Sequence, residues 1–292
     1  MADFEQLIAR AESVLQKLEA ILPEKPAEPD WTAIAWRWQH HQGHGYLQTV
    51  AHPDQIKLRD LHHLDEQKAQ IVTNTQQFVA GLPANNVLLT GARGTGKSSL
   101  VKALLSEFSQ QGLRLIEVDK QDLVALPEIV ELIRHRSERF IVFCDDLSFE
   151  AGEPGYKALK VVLDGSVAAT SDNVLVYATS NRRHLLPEFM HENLETEHLG
   201  EEIRPGDTTE EKVSLSERFG LWLSFYAFDQ EEYLKIAQEW LASYGIKHWN
   251  EDVRRAALQF SLARGARSGR VAYQFARDYA GKQALCKLKN KH

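Results

Sequence analysis

The sequence predicts an α/β protein: a parallel sheet of about five strands between two layers of helices, followed by a small C-terminal α-helical lid domain. Three observations carry this reading. Continuous apolar runs recur between residues 86 and 228 and alternate with helical patterns, as strands buried on both faces of a parallel sheet do. One of these runs, Asn86 to Thr90 (NVLLT), enters an octapeptide with three glycines and then a helix. Past Asp229 apolar residues recur only at helical spacing.

In chain order, the first element is an amphipathic helix from Asp3 to Leu22. It is closed by PEKPAEPD, whose prolines break a helix and mark a linker. Residues 1–58 thus read as an N-terminal helical arm and linker. Within them stand Trp31, Trp36 and Trp38, then HHQGHGY with His40, His41 and His44. Zinc sites draw Cys, or His pairs fixed on a helix or strand, so this Gly-interrupted cluster reads as a polar loop.

Residues 59–228 read as the α/β domain. From Asp60 a helical stretch, DLHHLDEQKAQIVTNTQQF, leads to the NVLLT strand. Leu100, Leu104, Leu105 and Phe108 then recur at helical spacing from Ser98 to Ser109. RLIEVD (Arg114–Asp119), a helix near Pro127–His135, FIVFCDDL (Phe140–Leu147), a helix near Gly155–Leu163, NVLVYATSN (Asn173–Asn181) and GLWLSFYAF (Gly220–Phe228) complete the alternation. The polar, acidic region Glu192–Glu217 reads as a mobile loop or a partner-binding insert. Residues 229–292 form the lid: Asp229 and Glu232 make a capping box for a helix through Leu241, and helices follow near Asn250–Arg264 and from Arg270 toward Gln283.

Composition narrows the class. At 43% hydrophobic and 26% charged residues, the 292-residue chain is ordinary for a globular protein with two cores. No run of about 18 apolar residues suggests a membrane span, and MADFEQLIAR is unlike a signal peptide, so a cytoplasmic location is expected. Cys144 and Cys286 are too few and too differently placed for a disulfide framework or a metal site. The net charge is −7, yet from Glu251 onward ten Lys/Arg face three Asp/Glu. That asymmetry fits a nucleic-acid surface, an intersubunit contact or arginines that read phosphates.

The octapeptide Gly91–Ser98, GARGTGKS, matches the phosphate-binding loop G-x-x-x-x-G-K-[ST] in full, and its strand and helix flanks satisfy the context the motif requires. Gly91, Gly94 and Gly96 allow a curl whose N–H groups point inward at phosphate oxygens, with Ala92, Arg93, Thr95 and Ser99 completing the loop. Lys97 reaches the β- and γ-phosphates, Ser98 ligates Mg2+, and the helix N-terminus faces the same anion. ATP with Mg2+ is the cofactor expected in such a P-loop NTPase sandwich. Leu61 and Leu64 lie where an apolar base is sandwiched, unless that stretch is simply core.

Other residues gather around this loop. FIVFCDDL ends in two carboxylates: Asp145 is expected beside the magnesium, and Asp146 beside the attacking water. Thr179, Ser180 and Asn181 end the next strand, and Asn181 is the candidate for bonding γ-phosphate and water. Arg218, just before a strand, supplies a second guanidinium, which when given by a neighbouring subunit ties hydrolysis to assembly. In RGARSGRVAYQFARD, Arg270 at the first turn of the last helix is preferred to Arg267 as the lid's contact with nucleotide.

Gly91–Ser98, Asp145-Asp146, Asn181, Arg218 and Arg270, in that order with a helical domain last, resemble the AAA+ ATPases. The resemblance implies phosphate loop, magnesium strand, sensor 1, arginine finger and sensor 2 at those positions and covers roughly Asp60 to the C-terminus. The wording NNVLLTGARGTGKSSLVKALL, FCDDLSFE, ATSNRRHLLPE and RSGRVAYQFA is similar to a bacterial AAA+ family catalogued as a domain of unknown function. What the resemblance implies is an oligomeric ATPase, ring or filament, acting on a macromolecular client. Asp146 stands where most AAA+ proteins carry glutamate; one methylene shorter, it implies slower hydrolysis, and Glu150 is a weaker substitute. Two other readings share the loop: a slow ATP-dependent switch or loader that binds a protein or nucleic acid, and a small-molecule kinase, which has no need of a separate helical domain.

Overall fold

The computed structural model describes residues 28–41, 43–149, 153–164, 172–181, 198–199, 202–203 and 215–289, with 4, 8 and 10–12 of the N-terminal segment. Glu150 and most of Glu192–Glu217 lie outside the described residues, as does most of the expected Asp3–Leu22 helix.

One sheet joins β1 (Ala35–His41), β2 (His44–Thr49), β3 (Val87–Gly91), β4 (Leu113–Glu117), β5 (Arg139–Cys144), β6 (Val174–Ser180) and β9 (Leu221–Phe225), while β7 (His198–Leu199) and β8 (Glu202–Ile203) pair separately. Across the sheet the order is β2-β1-β4-β5-β6-β3-β9. Every pairing in it is parallel except β1 with β2. The order sets β5, β6 and β3 side by side, so their carboxyl ends open on one edge, where ligands bind in such sheets.

The strands are apolar throughout because both faces are covered. Leu88, Phe140, Val142 and Cys144 face a core shared with α3 (Leu126–Ile133) and α4 (Pro154–Asp164). Val87, Leu89, Ile141 and Phe143 face a second core built with α1 (Asp65–Val79) and α2 (Lys97–Phe108). Tyr177 reaches into that second core and bonds Asn74 (3.0 Å) and Thr75 (2.9 Å) of α1, so its buried hydroxyl is satisfied.

A third core is helical, formed by α5 (Gln230–Ser243), α6 (Glu251–Arg264) and α7 (Gly269–Lys289) around Tyr233, Ile236, Val253, Ala257 and Phe275. The expected capping box starts α5: the N–H of Glu232 donates to Asp229 Oδ1 and the N–H of Asp229 donates to Glu232 Oε2, both at 2.8 Å. Asn250 caps α6 through the N–H of Val253 at 3.0 Å.

The sheet has seven strands where about five were expected, and the additional pair comes from residues read as arm, linker and polar loop. Trp36 and Trp38 point into the core while Arg37 between them points out to Glu117 at 2.9 Å, a period of two that defines a strand. The chain reverses through Gly43, at φ +83°, so that His41 and His44 stand opposite one another in a hairpin. His40 Nδ1 lies 3.1 Å from Asp122 Oδ1. Among the described residues no group of three His, Cys, Asp or Glu is placed to hold a metal ion, and no helix is long and apolar enough to cross a membrane.

Candidate functional site

The glycine-rich loop springs from the carboxyl end of β3 and runs into α2. At Gly91 (φ +130°) a Cβ would stand 1.8 Å from the carbonyl oxygen of Phe225, so a side chain there would force β3 and β9 apart. The N–H of Ala92 donates to that same carbonyl at 3.2 Å and ties the loop's base to β9. Gly91 and Ala92 therefore sit behind the loop, and Arg93 to Ser99 line a cleft.

Lys97, the first residue of α2, is buried and folds back along the loop. Its Nζ donates to the carbonyls of Gly91 (2.7 Å) and Ala92 (2.8 Å) and to Asn181 Oδ1 (3.0 Å). Burial holds its pKa below the ordinary lysine value; Asp145 and Asp146 oppose that shift, and Arg93 and Arg270 add to it.

Asp145 follows the last residue of β5. Its Oδ1 accepts from Ser98 Oγ at 2.6 Å, from the Thr179 hydroxyl, and from the N–H of Asp146 at 3.1 Å. Asp146 adopts φ +53°, a conformation that aspartate tolerates better than most residues, and its own N–H also donates to Thr179 Oγ1 at 2.9 Å. That turn aims its carboxylate back at the loop. Asn181 Nδ2 donates to Asp146 Oδ1, and the Arg93 guanidinium stands 3.9 Å from Asp146 Oδ2. Lys97, Asn181, Asp146 and Arg93 thus form one continuous polar chain across the mouth of the loop.

The lid closes the opposite wall. The N–H of Arg270, in the first turn of α7, donates to the carbonyl of Gly94 at 3.3 Å. A Cβ on Gly94 (φ +75°) would come within 2.8 Å of Ser268 Oγ, so glycine is what lets the lid approach. Between sheet and lid lies a cleft of about 820 Å3, within the range of small-molecule sites. Its polar lining includes Lys97, Ser98, Asp145, Asp146 and Asn181, and its apolar lining Ile56, Leu61, Leu64, Ile236, Trp240 and Tyr273. The Trp240 and Tyr273 rings pack at 4.8 Å and 69°. His62 meets the Trp240 ring edge-on at 6.2 Å, and its Nδ1 lies 2.8 Å from Glu239 Oε2.

The donor set suits a magnesium nucleotide. A hydroxyl and a carboxylate already oriented by hydrogen bonds are hard oxygen ligands, and Ser98 and Asp145 would hold the cation. The polar lining suits phosphates, and the apolar lining suits a flat base.

Of the residues singled out in the sequence, Arg93 to Ser99, Leu61, Leu64, Asp145, Asp146, Asn181 and Arg270 share this cleft. One correction concerns position. Leu61 and Leu64 precede α1 instead of lying on it, Leu61 following a 3-10 turn at Leu58–Asp60 and Leu64 serving as N-cap. Arg218 is not on the cleft wall; its Nε pairs with Asp164 at the end of α4. Arg267 is exposed and away from the wall, whereas Arg270 is on it. Sequence reasoning did not find Ile56, His62, Trp240 or Tyr273, because helical spacing presents the two lid aromatics only as core of the helical domain.

The family described as "Protein of unknown function (DUF815)" matches residues 31–283. No curated protein matches the chain in sequence. Among solved structures, a RuvB mutant of Thermotoga maritima is 15% identical with a TM-score of 0.53, covering 80% of this chain and 67% of that one. AMPPCP-bound DnaA from Aquifex aeolicus is 17% identical (TM-score 0.51; 80% and 66% covered). Aeropyrum pernix ORC1 in complex with DNA is 15% identical (TM-score 0.51; 76% and 60% covered). The chain therefore spans about two thirds or less of the length of these chains, and likeness at this identity shows a shared fold alone.

Proposed function

We infer that this chain, which belongs to the DUF815 family, binds ATP with Mg2+ in the cleft between sheet and lid and hydrolyses it to drive remodelling or loading of a macromolecular client. The observation that carries this reading is the convergence of Ser98 and Asp145, bonded at 2.6 Å, with Lys97 and Asn181 in a cleft that is also lined by Trp240 and Tyr273. Magnesium, when bound, would neutralise charge on the β- and γ-phosphates. Lys97 then exchanges the Gly91 and Ala92 carbonyls for phosphate oxygens. Asn181 orients the attacking water, Asp146 takes its proton, and the lid's Arg270 excludes bulk solvent from the phosphates.

Arg218, held by Asp164 outside the cleft of its own chain, is suited to reach the nucleotide of a neighbouring copy. Assembly into a ring or filament would then set the rate. The test is steady-state ATPase activity against protein concentration: specific activity should rise with concentration, and Arg218→Ala should abolish the rise. A concentration-independent rate untouched by Arg218→Ala refutes the finger acting in trans, and full ATP binding by Lys97→Ala refutes the nucleotide site.

One observation favours a second reading, an ATP-dependent switch or loader with little turnover. Asp146 is short for a general base, and it is engaged by Asn181 and Arg93. Tight ATP binding with negligible phosphate release, together with ATP-dependent, salt-sensitive binding of nucleic acid, would select it. With turnover instead, an Asp146→Asn variant holding ATP should enrich the client over Lys97→Ala.

A further inference from the structure

Arg93 lies inside the glycine-rich loop, at a position the motif leaves free, and its guanidinium is exposed to the cleft. It faces Asp146, which follows the Asp145 bonded to Ser98. Ser98 and Asp145 would hold the metal that neutralises the outer phosphates, so Asp146, next in the chain, marks where a third phosphate would come. A diphosphate seated on the loop leaves the Arg93–Asp146 pair in place. A third phosphate arriving beside Asp146 would compete for the guanidinium, which the carboxylate holds only loosely, at 3.9 Å and in solvent.

We propose that Arg93 reads the third phosphate: it exchanges Asp146 for the γ-phosphate, and so makes the site discriminate nucleoside triphosphate from diphosphate while freeing the Asp146 carboxylate. The proposal rests on the nucleotide reading of the cleft. Geometry supports the coupling, since Asn181 bonds Lys97 through its oxygen and Asp146 through its amide nitrogen. Arg93, Lys97 and Arg270 line the same cleft, so the three cations stand around one volume. Arginine suits the exchange because its planar fork matches a phosphate as well as a carboxylate.

The test uses the full chain with magnesium and measures dissociation constants for AMPPCP and for ADP in the wild type, Arg93→Ala and Arg93→Lys. Arg93→Ala should weaken AMPPCP about tenfold or more, the value of a charge-assisted hydrogen bond, and change ADP by less than about twofold. Arg93→Lys, which keeps the charge without the fork, should recover part of the loss. Because Arg93 is exposed, thermal melting of the nucleotide-free variants should match the wild type. Equal loss for both nucleotides, or no loss for either, overturns the role of Arg93 alone. Failure of the wild type to bind either nucleotide overturns the reading of the cleft and the proposal with it.

Discussion

The backbone N–H of Arg270 bonds the carbonyl oxygen of Gly94 at 3.3 Å, so the helical lid is fastened to the glycine-rich loop itself. The loop and the first turn of the last helix are thus in direct contact.

Gly94→Ala tests this contact. Alanine at φ +75° costs about 1–2 kcal/mol for the left-handed backbone, and its Cβ would meet Ser268 Oγ at 2.8 Å. Urea denaturation should show a loss of that order, and AMPPCP affinity should fall with it. Wild-type affinity in this variant would mean that the lid contact does not govern the site.

Ser98→Ala removes the hydroxyl that bonds Asp145 at 2.6 Å and would ligate magnesium. ATP affinity measured with magnesium should fall at least about tenfold, as for loss of a bond to a charged group. Affinity measured in excess EDTA should stay close to the wild type. A comparable loss under both conditions would place Ser98 in the loop's folding and not in the metal's coordination.

His62 gives the lid a pH dependence. Burial holds its pKa below the ordinary 6.5, with Glu239 and Asp60 opposing and Lys68 and His63 adding to the shift. As pH falls through 6.5 the unfolded chain protonates before the folded one, so stability is lost from about 6.5 down toward the folded value. The melting temperature should thus drop less between about pH 7.5 and 5.5 in His62→Gln than in the wild type. Equal drops would remove His62 from the acid response.

Gly45 underlies the hairpin at the sheet edge. A Cβ there would stand 2.0 Å from the Trp38 indole, which is buried beneath it. Gly45→Val should cost about 1–3 kcal/mol by overpacking, read as a shift in the denaturation midpoint with an unchanged slope. An unchanged midpoint would show that the hairpin contributes nothing to the stability of the sheet.

Much of this molecule is legible in sequence because its signals are local. NVLLT and FIVFCDDL read as strands buried on both faces, and Asp229 with Glu232 announces the start of α5, since apolar runs and capping side chains act within a few residues. GARGTGKS likewise states its own chemistry, and Asp145 and Asn181 are found by standing at strand ends. The β1–β2 hairpin was written just as locally, in the alternation of Trp36, Arg37 and Trp38, but prolines before it and histidines within it masked the period.

What the sequence alone determined, then, was the fold class and the polar lining of the cleft. Only the tertiary structure decided that Leu61, His62, Trp240 and Tyr273 line one cleft, that Arg270 and not Arg267 stands on its wall, and that Arg93 faces Asp146. Periodicity tells a side chain which face of its own element to bury. Which distant element meets that face depends on strand order and on how the lid packs, and neither is encoded in any short stretch of the chain.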